Sequence, residues 1–104
     1  MAMRFVRVID WQSREQSQLP AAGEGNFVNW LITQGYDLVA TEPLGNAEIE
    51  IYQADNGTFA IYHPTFGTLD SECLFINIPS EDDVKMLVNN SQETLEPIRQ
   101  MFGF

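Results

Sequence analysis

The middle of this chain lacks positive charge. No lysine or arginine occurs between Glu15 and Val84. The same window holds twelve carboxylates: Glu15, Glu24, Asp37, Glu42, Glu48, Glu50, Asp55, Asp70, Glu72, Glu81, Asp82 and Asp83. With five basic residues among 104, the chain has too few cations to neutralise the phosphates of DNA, RNA or an anionic membrane. A net charge of −10 instead favours a basic protein surface as the partner.

Cysteine and long apolar runs are also scarce. The single cysteine, Cys73, excludes an internal disulfide and a multi-cysteine zinc site, and it fits a reducing compartment. No run of about 18 apolar residues is present, so no membrane-spanning helix is predicted. Arg4, Arg7 and Asp10 interrupt the apolar segment that a signal peptide needs. These absences together predict a cytoplasmic protein.

What the chain does contain is enough apolar material for a core. Hydrophobic residues make up 44% of the sequence. A chain of this length forms one domain that buries about two-thirds of its unfolded surface. We therefore expect a single domain over residues 1–104. Within it, residues 11–25 are polar and include Pro20, Gly23 and Gly25, which predicts a long loop.

Strand patterns occur in several places. Residues rich in β-branched and aromatic side chains predict strands over 5–9 and 36–41. The nearly continuous apolar run over 72–78 predicts a strand that is covered on both faces. Pro79 ends that run, since proline cannot donate to a ladder.

A β-hairpin is predicted around the turn Asp55-Asn56-Gly57, because polar and apolar residues alternate on both sides of it. A three-residue loop with Gly57 left-handed pairs Ile51 with Ile61. This register gives an inner, apolar face: Ile49, Ile51, Phe59 and Ile61. It also gives an outer, polar face: Glu48, Glu50, Tyr52 and Tyr62. A shift of one residue would mix the two sets.

Three helices are predicted. Asn26 caps a helix over about 27–34 whose core anchor is Trp30, and Gly35 ends it. Ser80 caps a second helix, with the acidic residues 81–83 at the positive end of its dipole. A third, short helix begins near residue 94. The order is therefore β-α-β-β-β-β-α-α, an α+β domain with an antiparallel sheet packed against helices.

No catalytic set emerges from these patterns. His63 and Cys73 formally allow a Cys–His nucleophile, which would also need a third group to orient the imidazole. Cys73 opens an apolar run, which is typical of a buried, unreactive thiol. The acids at 81–83 are consecutive and do not have the alternate spacing of a calcium loop. We expect neither an enzyme nor a cofactor or metal site.

The sequence favours a non-enzymatic module that docks a negative surface on a basic, nucleic-acid-binding protein. Carboxylates on a rigid fold imitate phosphates, a strategy of phage and mobile-element inhibitors and of toxin-immunity proteins. The expected partner-binding residues combine strand carboxylates, two tyrosines and helix-start acids: Glu48, Glu50, Tyr52, Tyr62, Asp70, Glu72, Glu81 and Asp82.

The alternative function is an adaptor, chaperone-like or self-associating module. Self-association would give a homodimer. In this case the contact would be carried by the apolar C-terminal tail with Phe104, by Trp11 just after the first strand, and by an exposed sheet edge. Resistance of the assembly to salt would separate it from a charge-driven complex.

Overall fold

A six-stranded mixed sheet forms the centre of the fold. The structure, a computed structural model, describes residues 5–20, 26–64 and 72–103. Its elements follow in chain order: β1 (Phe5–Asp10), β2 (Gln16–Pro20), α1 (Phe27–Thr33), β3 (Tyr36–Leu44), β4 (Ala47–Ala54), β5 (Phe59–His63), β6 (Cys73–Ile78), α2 (Glu81–Asn90) and α3 (Glu96–Phe102). The α+β fold class predicted from the sequence is confirmed.

The strand order in the sheet is β2-β1-β6-β5-β4-β3. Every neighbouring pair is antiparallel except β1 and β6, which are parallel. The expected purely antiparallel sheet is therefore corrected to a mixed one. Local alternation identifies a strand, but it does not show which distant strand lies beside it, and β1 and β6 are far apart in the chain.

The predicted loop over 11–25 is wrong in part, because it contains β2. This strand pairs antiparallel with β1, placing Leu19 opposite Val6 and Gln18 opposite Arg7. Its first three residues are exposed, as expected for an edge strand with little to bury. Pro20 is tolerated at its end because an edge strand need not donate on both sides. An exposed edge strand lacks the apolar alternation that would have revealed it.

Helices cover both faces of the sheet. On one face, α2 and α3 pack over a cluster that includes Ile49, Ile51 and Phe75. On the other face, α1 packs over a second cluster that includes Val8 and Leu74. The prediction that the 72–78 strand is covered on both faces is confirmed, since successive side chains of β6 enter opposite clusters.

The predicted hairpin is confirmed in register and in its inner face. Ile51 lies opposite Ile61, and Gly57 adopts the left-handed conformation with φ of 90°. All four predicted inner residues are buried in the cluster under α2 and α3: Ile49, Ile51, Phe59 and Ile61. Segregation of apolar from polar side chains therefore selected the correct pairing.

The helix caps form as the sequence indicates. The Asn26 side chain accepts a hydrogen bond from the backbone N–H of Asn29, and Ser80 accepts one from Asp83. Trp30, however, is only partly buried, so its predicted role as the anchor of α1 is wrong. Phe27 and Leu31 take that role. They are four residues apart, so they lie on the same face of the helix, and both are buried. Within the described ranges, no helix is long and apolar enough to cross a membrane.

Candidate functional site

The structure places six of the eight predicted partner-binding residues in two groups, on opposite faces of the sheet. Glu48, Glu50, Tyr52 and Tyr62 lie on the face of the sheet that α1 covers, since their strand neighbours Ile49, Ile51 and Ile61 face the other way. Glu81 and Asp82 begin α2, which packs on the opposite face. Glu72 directly precedes β6. Asp70 lies outside the described residues. Among the described residues, Glu48 and Glu50 therefore lie on the opposite face of the sheet from Glu81 and Asp82.

Tyr52 is not a surface anchor, which corrects the expectation of an open outer face. It is only 5% exposed and belongs to the cluster beneath α1. Its hydroxyl donates a hydrogen bond to Oε1 of Glu50. Burial raises the pKa of this hydroxyl, and the hydrogen bond to the Glu50 carboxylate raises it further. Tyr52 therefore stays protonated and holds the Glu50 side chain in one position.

Tyr62 is also engaged within the molecule. Its ring stacks on Phe27 of α1, with ring centroids 4.6 Å apart and planes inclined by 18°. The hairpin alternation predicted the shared face correctly, but it could not show that a helix from another part of the chain lies on that face. Both tyrosines thus pack against the α1 side of the sheet; Tyr52 is buried and Tyr62 is partly exposed.

The outer part of the same face remains accessible at the β3–β4 edge. In the pairing register, Leu38 lies opposite Tyr52, Thr41 opposite Glu50, and Pro43 opposite Glu48. Cross-strand partners point to the same side of a sheet, so these side chains share the α1 face. We call the group of Leu38, Thr41, Glu48 and Glu50 the edge surface.

The edge surface combines exposed apolar and acidic side chains. Leu38 is 54% exposed, and Val39 beside it, at an irregularity in the pairing with β4, is 53% exposed. Glu48 is exposed and Glu50 is partly exposed. The sequence analysis identified the two carboxylates but not the apolar residues Leu38 and Val39. The predicted strand over 36–41 could not be placed at a sheet edge, because the sequence does not show which strands pair with it.

A second polar arrangement lies where β1 and β6 end. Asn77 has φ of 57°, which is unusual for any residue other than glycine and is found here inside a strand. Its amide Nδ2 donates to Oδ2 of Asp10 at 2.7 Å. Its backbone N–H donates to the Tyr36 hydroxyl at 3.2 Å, and that hydroxyl donates to Asn77 Oδ1 at 3.3 Å.

The Asp10 carboxylate is held on both of its oxygens. Its Oδ1 accepts the backbone N–H groups of Gln12 and Ser13 at 2.9 and 3.0 Å. Burial would raise the pKa of Asp10, but the hydrogen bonds from Ser13, Asn77 and Gln12 outweigh it and lower that pKa. The only hint in the sequence was the polar residue Asn77 within an otherwise apolar run.

His63 and Cys73 lie opposite each other across β5 and β6, yet neither is accessible. Burial raises the pKa of the Cys73 thiol to about 11, so the nucleophilic thiolate is scarce at neutral pH. Burial also lowers the pKa of His63. This pair therefore has the geometry of core packing. No group of three potential metal ligands occurs among the described residues.

Comparison with known proteins gives no further assignment. No protein-family model matches the chain, and neither a curated protein nor a solved structure matches it significantly.

Proposed function

We propose that this protein is a non-enzymatic, acidic binding module of the cytoplasm that docks its edge surface on a basic, nucleic-acid-binding protein and blocks it. One observation carries the proposal. Glu48 and Glu50 lie in a row on one strand, beside the exposed Leu38, in a chain segment that has no basic residue between Glu15 and Val84. A surface of this composition complements one that presents lysine or arginine around an apolar spot.

The spacing of the two carboxylates supports mimicry of a nucleic-acid backbone. Residues two apart on a strand are separated by roughly 6.6 Å. Successive phosphates of one DNA strand rise by about 3.4 Å along the helix axis and also turn around it, so neighbouring phosphates are farther apart in space than this rise and are comparable in spacing to the two carboxylates. The hydrogen bond from Tyr52 fixes Glu50, which lowers the entropy lost when a partner binds.

Charge reversal tests this proposal. The E48K/E50K variant and the wild-type protein are each immobilised and exposed to a lysate. The captured proteins are then identified, and their isoelectric points are compared. We expect wild type to capture a basic nucleic-acid-binding protein and E48K/E50K to lose it. The matched control is E15K/E93K, which makes the same change in net charge at exposed positions away from the edge surface.

Ionic strength gives the second readout. Raising it from about 0.1 M to about 1 M shortens the Debye length from about 10 Å to about 3 Å, so the complex should dissociate. Retention of the partner by E48K/E50K, or capture of an acidic protein, would contradict the proposal.

The self-association alternative loses part of its basis. Trp11 is buried and lies edge-on to Phe75, with centroids 6.3 Å apart, so it is not an exposed contact. Phe104 lies outside the described residues. What remains for it is the exposed Met101 of the C-terminal tail and the apolar pair Leu38 and Val39 at the β3 edge. A salt-resistant dimer in sedimentation, dissociated by L38D, would favour this alternative over the acidic module.

A further inference from the structure

An open cleft of about 250 Å³ lies between the C-terminal turn of α1 and the turn that joins β4 to β5. Trp30 and Gln34 line it from the helix side, and Asn56 and Thr58 line it from the turn. Tyr36 and Asn77 lie between them. The cleft is next to the carboxyl ends of the parallel strands β1 and β6, and ligands of open sheets commonly bind at that end of parallel strands.

The middle of this cleft, between the helix side and the turn side, is held rigidly at Asn77. The positive φ of Asn77 and its bonds to Asp10 and Tyr36 fix the asparagine amide. The side chain of Gln12, in turn, donates to the backbone carbonyl of Asn77 at 3.0 Å. Non-glycine residues held at positive φ carry strain that the surrounding structure must offset, and such residues cluster at functional sites.

The helix side and the turn side of the cleft offer hydrogen-bonding groups that the described protein leaves unused. Asn56 accepts two bonds from Thr58 through its Oδ1, while its Nδ2 has no partner among the described residues. The Gln34 amide and the Trp30 indole N–H likewise have no hydrogen-bond partner there. Among the described residues, no charged side chain lines the cleft. The site therefore suits a neutral ligand that has both donors and acceptors.

We propose that this cleft binds the base of an uncharged nucleoside, with adenosine as the model ligand. The half-buried Trp30 provides an aromatic face on which a base stacks. A side-chain amide such as that of Gln34 pairs with the donor–acceptor edge of adenine through two hydrogen bonds. Phosphorylated forms are disfavoured, because the carboxylates of Asp10, which is bonded to Asn77, and Asp55, which precedes Asn56, repel phosphate. No basic side chain lines the cleft within the part of the chain that the structure describes.

Titration of the ¹⁵N-labelled full chain with adenosine, followed by two-dimensional NMR, tests this inference. We expect saturable shifts confined to the indole of Trp30, the amides of Gln34 and Asn56, and their neighbours. The Q34A variant should bind at least about fivefold more weakly, and W30L should lose the shifts. The matched control is Q18A, since Gln18 is equally exposed but lies on the far edge of the sheet.

Two further ligands separate nucleobase binding from its alternatives. Adenosine monophosphate should bind more weakly than adenosine, and glucose should give no saturable shift. Absence of saturation with adenosine, equal binding of glucose, or tighter binding of the monophosphate would each overturn the inference. Gln34 is exposed, so Q34A remains informative even if W30L weakens the fold.

Discussion

Nε2 of His63 lies 3.0 Å from the backbone carbonyl oxygen of Ser91, at the end of α2. A carbonyl only accepts, so the ring carries a proton on Nε2 and donates it to Ser91. Nδ1 has no hydrogen-bond partner in the described structure, and the ring is fully buried. Protonation of Nδ1 would place a positive charge inside the core, which is why burial lowers the pKa of His63; backbone groups of Ser91, Pro64 and His63 offset only part of this effect.

The first prediction concerns the pH dependence of folding. The unfolded ring has a pKa near 6.5 and the folded ring a lower one, so the unfolded state takes up the proton more readily. The free energy of unfolding should be fully retained above about pH 6.5 and should fall as the pH drops from there toward the folded pKa. Urea denaturation at about pH 7.5, 6.5 and 5.5 measures this slope.

The control for this prediction is H63Q, which keeps an amide donor toward Ser91 but does not titrate. Its free energy of unfolding should be nearly independent of pH between about 5.5 and 7.5. An equal slope in H63Q and wild type would show that another group is responsible.

The second prediction concerns the reactivity of Cys73. The thiol is 1% exposed, and burial raises its pKa to about 11, so alkylation requires the core to open. With a stability of about 5 kcal/mol or more, native protein should react with iodoacetamide at least about a thousandfold more slowly than urea-unfolded protein. Rapid alkylation under native conditions, without loss of structure, would contradict the burial of this side chain.

Local sequence signals predicted local structure well. The alternation on both sides of Gly57 gave the hairpin register, and the caps at Asn26 and Ser80 gave the starts of α1 and α2. These signals depend on residues close in the chain, where the periodicity of side chains directly reports a face. The strand β2 carried no such signal because an exposed edge strand has little to bury.

The candidate sites were less predictable, because they depend on contacts between distant segments. Tyr52 was predicted to lie on an outer, polar face, but α1 covers it. The exposure of Leu38 follows from the position of its strand at the sheet edge, which the sequence did not indicate. Asn77 and Asp10 meet across 67 positions of sequence. Composition located the acidic segment, but tertiary packing decided which side chains reach solvent.

The third prediction concerns the packing of α1 on the sheet. The rings of Phe27 and Tyr62 are stacked, so the variants F27L and Y62L should be coupled in a double-mutant cycle on the free energy of unfolding. We expect a coupling of about 0.5–1.5 kcal/mol. The matched cycle combines F27L with F59L, on the opposite face of the sheet, and should be additive within about 0.5 kcal/mol. Equal coupling in both cycles would argue against a specific ring contact.

The fourth prediction concerns the bond between Asn77 and Asp10. The N77D variant replaces the donor Nδ2 with an oxygen 2.7 Å from the Asp10 carboxylate, so two negative charges would face each other. At neutral pH we expect a loss of about 1–3 kcal/mol in the free energy of unfolding. In this variant the folded pair holds a proton more tightly than the unfolded chain, so part of the loss should be recovered as the pH falls below about 4.

Exchange of the two side chains distinguishes charge repulsion from simple loss of fit. The D10N/N77D double variant restores one amide and one carboxylate, and the new amide at position 10 retains an oxygen that accepts from the N–H groups of Gln12 and Ser13. We therefore expect the double variant to regain most of the stability that N77D loses, as measured by urea denaturation at neutral pH. N46D, at an exposed turn, should change stability by less than about 0.5 kcal/mol. If D10N/N77D were no more stable than N77D, the pair would owe its role to the backbone of Asn77 and not to the hydrogen bond between the two side chains.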